Sequence, residues 1–496
     1  SRAKARGKIA LEEAQQRAEK LARARKLTRR ERKRLKEERK RKEALREPVE
    51  KLLEKHTLTL DECIDVAMKT HIQLKVAKKQ LKLARFRLLE ARRNLGPTIM
   101  AKWEESGGKV NDKAYDGTKI LFEGKQPIFY GGELVFSVGQ AKVNLEIVES
   151  DYDRVRNDLV LQVKKAYYTL DKAKKALGIQ KKLQSRAKTL FDMVKAGYEV
   201  AVIPQVEFLR ISSQYNQTSF QVISAREDIS VARLLLQHAM NIEEEIEIVG
   251  VKEPNIIKLD LEDCFNLASL NRPEIKISQL SLEYFKYEKK IMLARANWPR
   301  VDFLGSYGNV KEDYVNEELG GNTARELGPE YYFGTKISLP LWGSTLGYSY
   351  TEEDWQPVVQ TTKGTEARTH TMTFSLFDKL GDISGVKEAD IEYMRSLDEI
   401  NKKKQEITLE VKEMFFKYRK AILLMDVAKS KVEFQAKQVE ILEIKRELGE
   451  ALYSDVVEEM IKLAEEEFSY IQAISDYYIS IASLNKAIGI DGYFKI

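Results

Sequence analysis

Cysteine, proline, tryptophan and histidine are all scarce in this 496-residue chain, at 2, 10, 4 and 4 copies. The two cysteines, Cys63 and Cys264, stand in equivalent places of two similar halves, so they do not suggest a disulfide pair. No CxxC occurs, and His56, His71, His238 and His370 are scattered, so no metal site is expected. A run of about 18 apolar residues is also missing, which excludes a transmembrane helix. P-loop, GxSxG and HExxH signatures are absent, and the reading is of a chain without catalytic residues or a cofactor, not of an enzyme. What is abundant is charge. Charged residues make up 32% of the chain and hydrophobic ones 43%, with few helix breakers, a balance that favours long solvent-bathed helices over a thick core.

The net charge of +7 is unevenly placed. Residues 1–50 hold 20 Lys/Arg against 9 Asp/Glu, leaving 64 against 68 for the remainder. The excess of base belongs to an N-terminal extension, residues 1–56. A stretch such as Arg29-Arg30-Glu31-Arg32-Lys33-Arg34 reads better as a solvated arm than as a contact for nucleic acid or anionic lipid.

The rest of the chain says the same thing twice. Leu58-Thr59-Leu60-Asp61-Glu62-Cys63 opens one half and Leu259-Asp260-Leu261-Glu262-Asp263-Cys264 the other. The apolar series Ala141, Leu145, Tyr152, Leu159, Val163, Ala166, Leu170, Ala173, Leu177 returns as Ala389, Tyr393, Ile400, Ile407, Val411, Met414, Tyr418, Ala421, Met425, every pair offset by 248. Two repeats follow, 57–250 and 251–496. Such a duplication suits a pseudo-symmetric assembly more than an enzyme with one cleft.

Each repeat reads helix, β-like zone, long helix, returning helix. The first helix spans about 59–95 and stops at Gly96-Pro97; its counterpart, about 260–297, stops at Trp298-Pro299. Long helices are expected over about 133–196 and 386–447, and returning ones over about 205–240 and 455–488. The apolar stripe from Leu134 to Leu177 advances by roughly 3.58 residues per turn, close to a straight helix and short of a strict heptad's supercoil. Nearly untwisted helices can stand side by side as staves, although an ordinary antiparallel coiled coil also fits.

The β zones, 98–131 and 300–380, alternate. Met372, Phe374 and Leu376 interleave with Thr371, Thr373 and Ser375. One apolar and one polar face suits a membrane barrel, and equally any half-buried sheet. All four tryptophans, Trp103, Trp298, Trp342 and Trp355, lie in or beside these zones, as an interfacial aromatic belt would have them. One chain has too few strands to close a barrel, and open edges do not persist in lipid, so several chains would share one. The second zone carries about 46 extra residues, near 328–373, read as an external loop or an added hairpin.

In order and spacing these features resemble the TolC family of outer-membrane efflux proteins over about 57–490. The carriers are Leu58-Thr59-Leu60-Asp61-Glu62 with Ala67, Gly96-Pro97 before the first strand, the strand-to-helix turn Gln126-Pro127-Ile128-Phe129-Tyr130-Gly131-Gly132, and Tyr167. The resemblance implies a mixed α and β fold. Long antiparallel helical hairpins would form a trimeric α-barrel, and four strands from each protomer would enter a shared transmembrane β-barrel of twelve. It implies a passive exit duct for efflux or type I secretion, seated in outer-membrane lipid with its helices in the periplasm. Its partners would be a periplasmic adaptor and an inner-membrane pump of RND or ABC type. The family closes its tunnel at the helix tips with acidic rings, and Asp455 and Glu458 fall at that position here. The bland reading of the pair is an acidic first helical turn. Gln205 replaces an acid often found at the first-repeat tip, and Ala451 a basic latch, so any closing network must differ. A soluble coiled-coil scaffold without a transport role is the alternative.

Overall fold

A computed structural model describes residues 57–490, apart from 111–112, 258, 317–320 and 356–364. The basic extension, 1–56, lies outside the described residues. In chain order the elements are β1 (Thr57–Leu58), α1 (Leu60–Thr70), α2 (Ile72–Arg93), β2 (Thr98–Val110), β3 (Lys113–Phe129), α3 (Glu133–Glu199), α4 (Gln205–Met240) and β4 (Glu247–Ile248). There follow α5 (Leu261–Asn271), α6 (Pro273–Asn297), β5 (Arg300–Asn316), β6 (Gly321–Leu341), β7 (Ser344–Trp355), β8 (Thr365–Ser375), α7 (Leu380–Glu447) and α8 (Tyr453–Ile488). The order helix, helix, strands, helix, helix thus occurs twice. Counterparts match in length: 11 and 11 residues for α1 and α5, 67 and 68 for α3 and α7, 36 and 36 for α4 and α8.

Two expectations are corrected. The first helix of each repeat is broken in two, at His71 and at Arg272, both of which adopt extended backbone. Pro273 explains the second break, because it disfavours helix at the residue before it. The first has no proline. There the Asn241 side chain donates to the carbonyl of Thr70, and Thr70 Oγ1 donates to the carbonyl of Met240. The other correction concerns strand number. The large sheet has six antiparallel strands in the order β2-β3-β5-β6-β7-β8, where the resemblance implies four. The extra residues near 328–373 include the added hairpin β7–β8.

The chain forms two compact units, each drawing on both repeats. The first holds the residues up to His71, Leu159–Pro254 and Ile422–Ile479. In it β1 pairs in parallel with β4, which buries Leu58 and Ile248. Thr59 and Glu62 close a capping box over α1, and the helix buries Cys63, Val66 and Ala67. Tyr167 and Tyr478 donate their hydroxyls to the carbonyls of Val249 and Lys252, at 2.6 and 2.7 Å. A long core runs through four helices: Ile179, Leu183, Ala187, Leu190 and Val194 of α3, Ile211 of α4, Val439 of α7, and Val456, Val457, Met460 and Ala464 of α8.

The second unit holds Ile72–Asp158, Asn255–Ala421 and the residues from Ser480 onward. Arg272 is buried at the α5–α6 break, where it donates to the carbonyl of Ala487 at 2.9 Å and to the carboxylates of Glu274 and Glu410. Repeat-equivalent positions of the long helices are alike in being buried: Leu159 and Ile407, Val163 and Val411, Leu170 and Tyr418, Ala173 and Ala421. The stripe upstream of Leu159, including Leu134, Leu145 and Tyr152, is only half-buried.

Candidate functional site

The tips of the helical hairpins belong to the first unit. Between α3 and α4 the chain reverses through Ala201, at φ 59°, with the Val202 amide donating to the carbonyl of Gly197 at 2.9 Å. Between α7 and α8 it reverses through Gly449, at φ 77°. There the Glu450 and Gly449 amides donate to the carbonyls of Lys445 and Arg446, the double bond of a glycine-ended helix. Asp455 lies in the first turn of α8, and its carboxylate accepts from the Leu452 amide at 3.3 Å. It reaches back to the residue before the helix, as an acid in the first helical turn can. Arg210 of α4 stands 3.9 Å from Asp455. Glu458 pairs with Lys462 at 3.2 Å, and Glu458 and Glu459 together raise the pKa of that lysine by hydrogen bonding. Ser454, Val456, Val457 and Met460 turn into the core, while Glu458 is exposed.

The sequence reading passed over the acid that is buried here. Glu207, 7% exposed in the first turn of α4, accepts from the Ser454 amide at 2.8 Å and from the Ser454 hydroxyl at 2.9 Å. A carboxylate of the first-repeat tip thus caps the second-repeat helix. The signal for this cap was the first-turn acid after Pro204.

The six-stranded sheet lies wholly in the second unit and its two faces differ. Pairing registers place Ile99 and Trp103 of β2, Ile120 and Phe122 of β3, Phe303 and Tyr307 of β5, Tyr331, Phe333 and Ile337 of β6, Tyr348 of β7, and Met372 and Phe374 of β8 on one side. Every one of these side chains is exposed, from 37% at Ile337 to 72% at Met372. The other side carries Lys102, Glu104, Lys119, Glu123, Lys125, Ser306, Lys336, Ser349, Thr351, Thr369, Thr371 and Thr373. It is also the hollow side: Met100, Leu121, Glu123, Lys125, Leu304, Ser306, Tyr332 and Glu353, from five strands, line one concavity. A water-soluble protein rarely leaves so many large apolar side chains exposed on one face.

The strand-to-helix turns hold the other residues singled out in the sequence. Pro97 and Pro299 lie between helix and strand, and Pro127 opens a register shift of β3 against β5. Gly131 and Gly132 take φ 60° and 89°, and a Cβ on Gly131 would come within 2.2 Å of the Trp298 Cβ. Trp298 meets Phe129 edge to face, with ring centroids 6.2 Å apart. Trp342 is 95% exposed in the two-residue turn between β6 and β7, whose Gly343 carbonyl accepts from the Lys379 amide at 2.8 Å. Trp103 lies within the apolar face of β2. Trp355 ends β7, and its side chain lies outside the described residues. Glu133, 7% exposed at the start of α3, accepts from Arg295 at 2.7 Å and Arg300 at 3.0 Å, which ties the strand exit of one repeat to the strand entry of the other. Among the described residues no helix is long and apolar enough to cross a membrane, and no cluster of metal-ligating side chains occurs.

Residues 63–241 match the family model described as outer membrane efflux protein. No curated relative matches the chain. Among solved structures, the chain is similar to the Campylobacter jejuni CmeC outer membrane channel, with 15% identity, a TM-score of 0.69, and coverage of 87% of this chain and 85% of that one. The Vibrio cholerae outer membrane protein VceC gives 13% identity and a TM-score of 0.66, covering 87% and 96%. The open state of the Neisseria gonorrhoeae MtrE outer membrane channel gives 15% and 0.64, covering 87% and 89%. At these identities the likeness is one of fold.

Proposed function

We propose that this chain, an outer membrane efflux protein by the family match of its residues 63–241, is the exit channel of an efflux or type I secretion system. The observation that carries the reading is the two-faced sheet, apolar and exposed on one side, polar and hollow on the other. Lipid suits the first face and water the second. Main-chain groups at the two sheet edges would be left unpaired in hydrocarbon, so the chain acts as a homotrimer whose copies share one barrel. Its helices extend into the periplasm and meet an adaptor and an inner-membrane pump of RND or ABC type, which supplies the energy. The half-buried apolar stripe at the start of α3 supports contact with a neighbouring copy. A coiled-coil scaffold in water would have no use for the apolar sheet face.

In the trimer Asp455 and Glu458 would ring the narrow end, six carboxylates in all, a field that attracts cations and binds multivalent ones. Arg210 and Lys462 are their counter-charges in place of a latch at Ala451. The test is single-channel conductance of the purified protein in a planar bilayer. Small, cation-selective openings blocked by multivalent cations are expected. Neutralising both acids, Asp455→Asn with Glu458→Gln, raises the blocking concentration several-fold, and an unchanged block removes them as the gate. A protein that stays soluble without detergent and conducts nothing would refute the channel itself.

A further inference from the structure

The strand count carries a consequence for the pore. Six strands stand where four were implied, and the added pair is built like the others. Leu346, Tyr348 and Tyr350 of β7, with Met372 and Phe374 of β8, continue the apolar face over the helix-side half of the hairpin, beyond which Glu352, Asp354, Arg368 and Glu366 make the same side charged. Thr345, Gly347, Ser349 and Thr351, facing Thr369, Thr371, Thr373 and Ser375, continue the polar one. With 12 and 11 residues, both strands have the roughly 9–11 residues that a tilted membrane-crossing strand needs. An external loop would need neither the alternation nor the length.

The added hairpin also decides which edge meets the next copy. β6 is hydrogen-bonded to β5 and, over Tyr331–Leu341, to β7, so its helix-side half has no free edge. The open edges are β2 and β8. β2 leaves a helix and β8 enters one, so the two run in opposite directions, as antiparallel pairing between copies requires.

Resting on the channel reading, we propose that β8 of each copy pairs with β2 of the next, and that three copies close an eighteen-stranded barrel. The register agrees with closure. From Thr98, the first residue of β2, the row of partners runs through Lys125, Leu304, Gly334 and Thr351 to Thr369. Thr369 lies six residues before Ser375, the helix-side end of β8. Six residues of stagger over six strands is one per strand. With strands about 4.8 Å apart and a rise of about 3.3 Å per residue, that gives a tilt of roughly 35°, inside the range of closed barrels. Eighteen such strands enclose a backbone diameter of roughly 34 Å, against roughly 22 Å for twelve, so the cross-section more than doubles. The added wall is lined by hydroxyl groups and glycine and bears one acid, Glu353, among its described inward positions. The bore is therefore suited to bulky, hydrated cargo, and its partner at each edge is a second copy of this chain.

Disulfide trapping in the full chain tests the edge. With helix-side strand ends level, Thr373 of one copy faces Met100 of the next, both on the polar side. The double variant Met100→Cys with Thr373→Cys, and Met100→Cys with Thr371→Cys for a two-residue shift, should oxidise to covalent dimers and trimers on denaturing gels. Met100→Cys with Ser338→Cys, which joins β2 to β6, should not. A β2–β6 product, or no β2–β8 product from a trimer that conducts normally, overturns the eighteen-strand barrel while leaving the channel intact. Loss of trimer and conductance in the unmodified protein overturns both. A second measurement deletes residues 344–375, so that Gly343 leads directly toward α7. The shortened trimer should exclude polymers that enter the outer mouth of the full protein, and an unchanged size limit refutes the proposal.

Discussion

At the scale of single residues, chemistry here is mostly suppressed or put to structural use. Burial, with Glu62 beside it, pushes the Cys63 thiol up to about 12, and burial, with Asp263 and Asp260 nearby, takes Cys264 to about 11. Folding thus tightens each proton, and the folded protein keeps both thiols neutral where an exposed thiol ionises. At about pH 9.5, where a free cysteine is largely thiolate, iodoacetamide should label neither residue until denaturant is added, and rapid labelling of native protein would contradict their burial. Glu207 is the counter-case, a buried carboxylate that accepts two hydrogen bonds at a helix start. Glu207→Ala should destabilise the tip by about 1–2 kcal/mol, read as faster amide exchange over Tyr453–Val457. Glu207→Gln, which keeps one acceptor, should lose less. Equal exchange in all three proteins would deny the cap. None of this was visible as a motif, because Glu207 and Ser454 lie 247 positions apart and only folding makes them neighbours.

Among the elements, those written as local patterns were the legible ones. Period and breakers locate α4 over 205–240 without error, α3 to within three residues and α7 to within six. Charge and propensity along one helix need no other part of the chain. The break at Arg272 was also written locally, in Pro273, and was missed. The break at His71 was not, since its partners are Met240 and Asn241. Strand-to-helix turns show the same division. Gly131-Gly132 announces a turn, whereas its necessity comes from Trp298, which leaves no room for a side chain. Gly131→Ala must bear a left-handed backbone and that collision, and should cost about 2–4 kcal/mol. For the proposed trimer the expected outcome is dissociation at lower temperature on unheated-to-heated gel series. A trimer as heat-resistant as the parent would show that the turn relaxes freely.

The whole molecule depends on what the termini of its sheet do. The described residues begin at Thr57, and Leu58 is buried against β4. Residues 1–50 carry base in excess. Their deletion should leave the yield of detergent-extracted trimer unchanged, and a salt-sensitive loss of trimer would give the arm an assembly role. Sequence alone determined the duplication of elements, the lengths of the long and returning helices and the two-faced strands, because periodicity and breakers act over a few residues. Tertiary structure alone decided that the extra residues include paired strands and not only a loop, that β2 and β8 end the sheet, and that Glu207 bonds to Ser454. Each of those is a pairing between distant segments, and a chain read one residue at a time holds no record of register until the strands and helices meet.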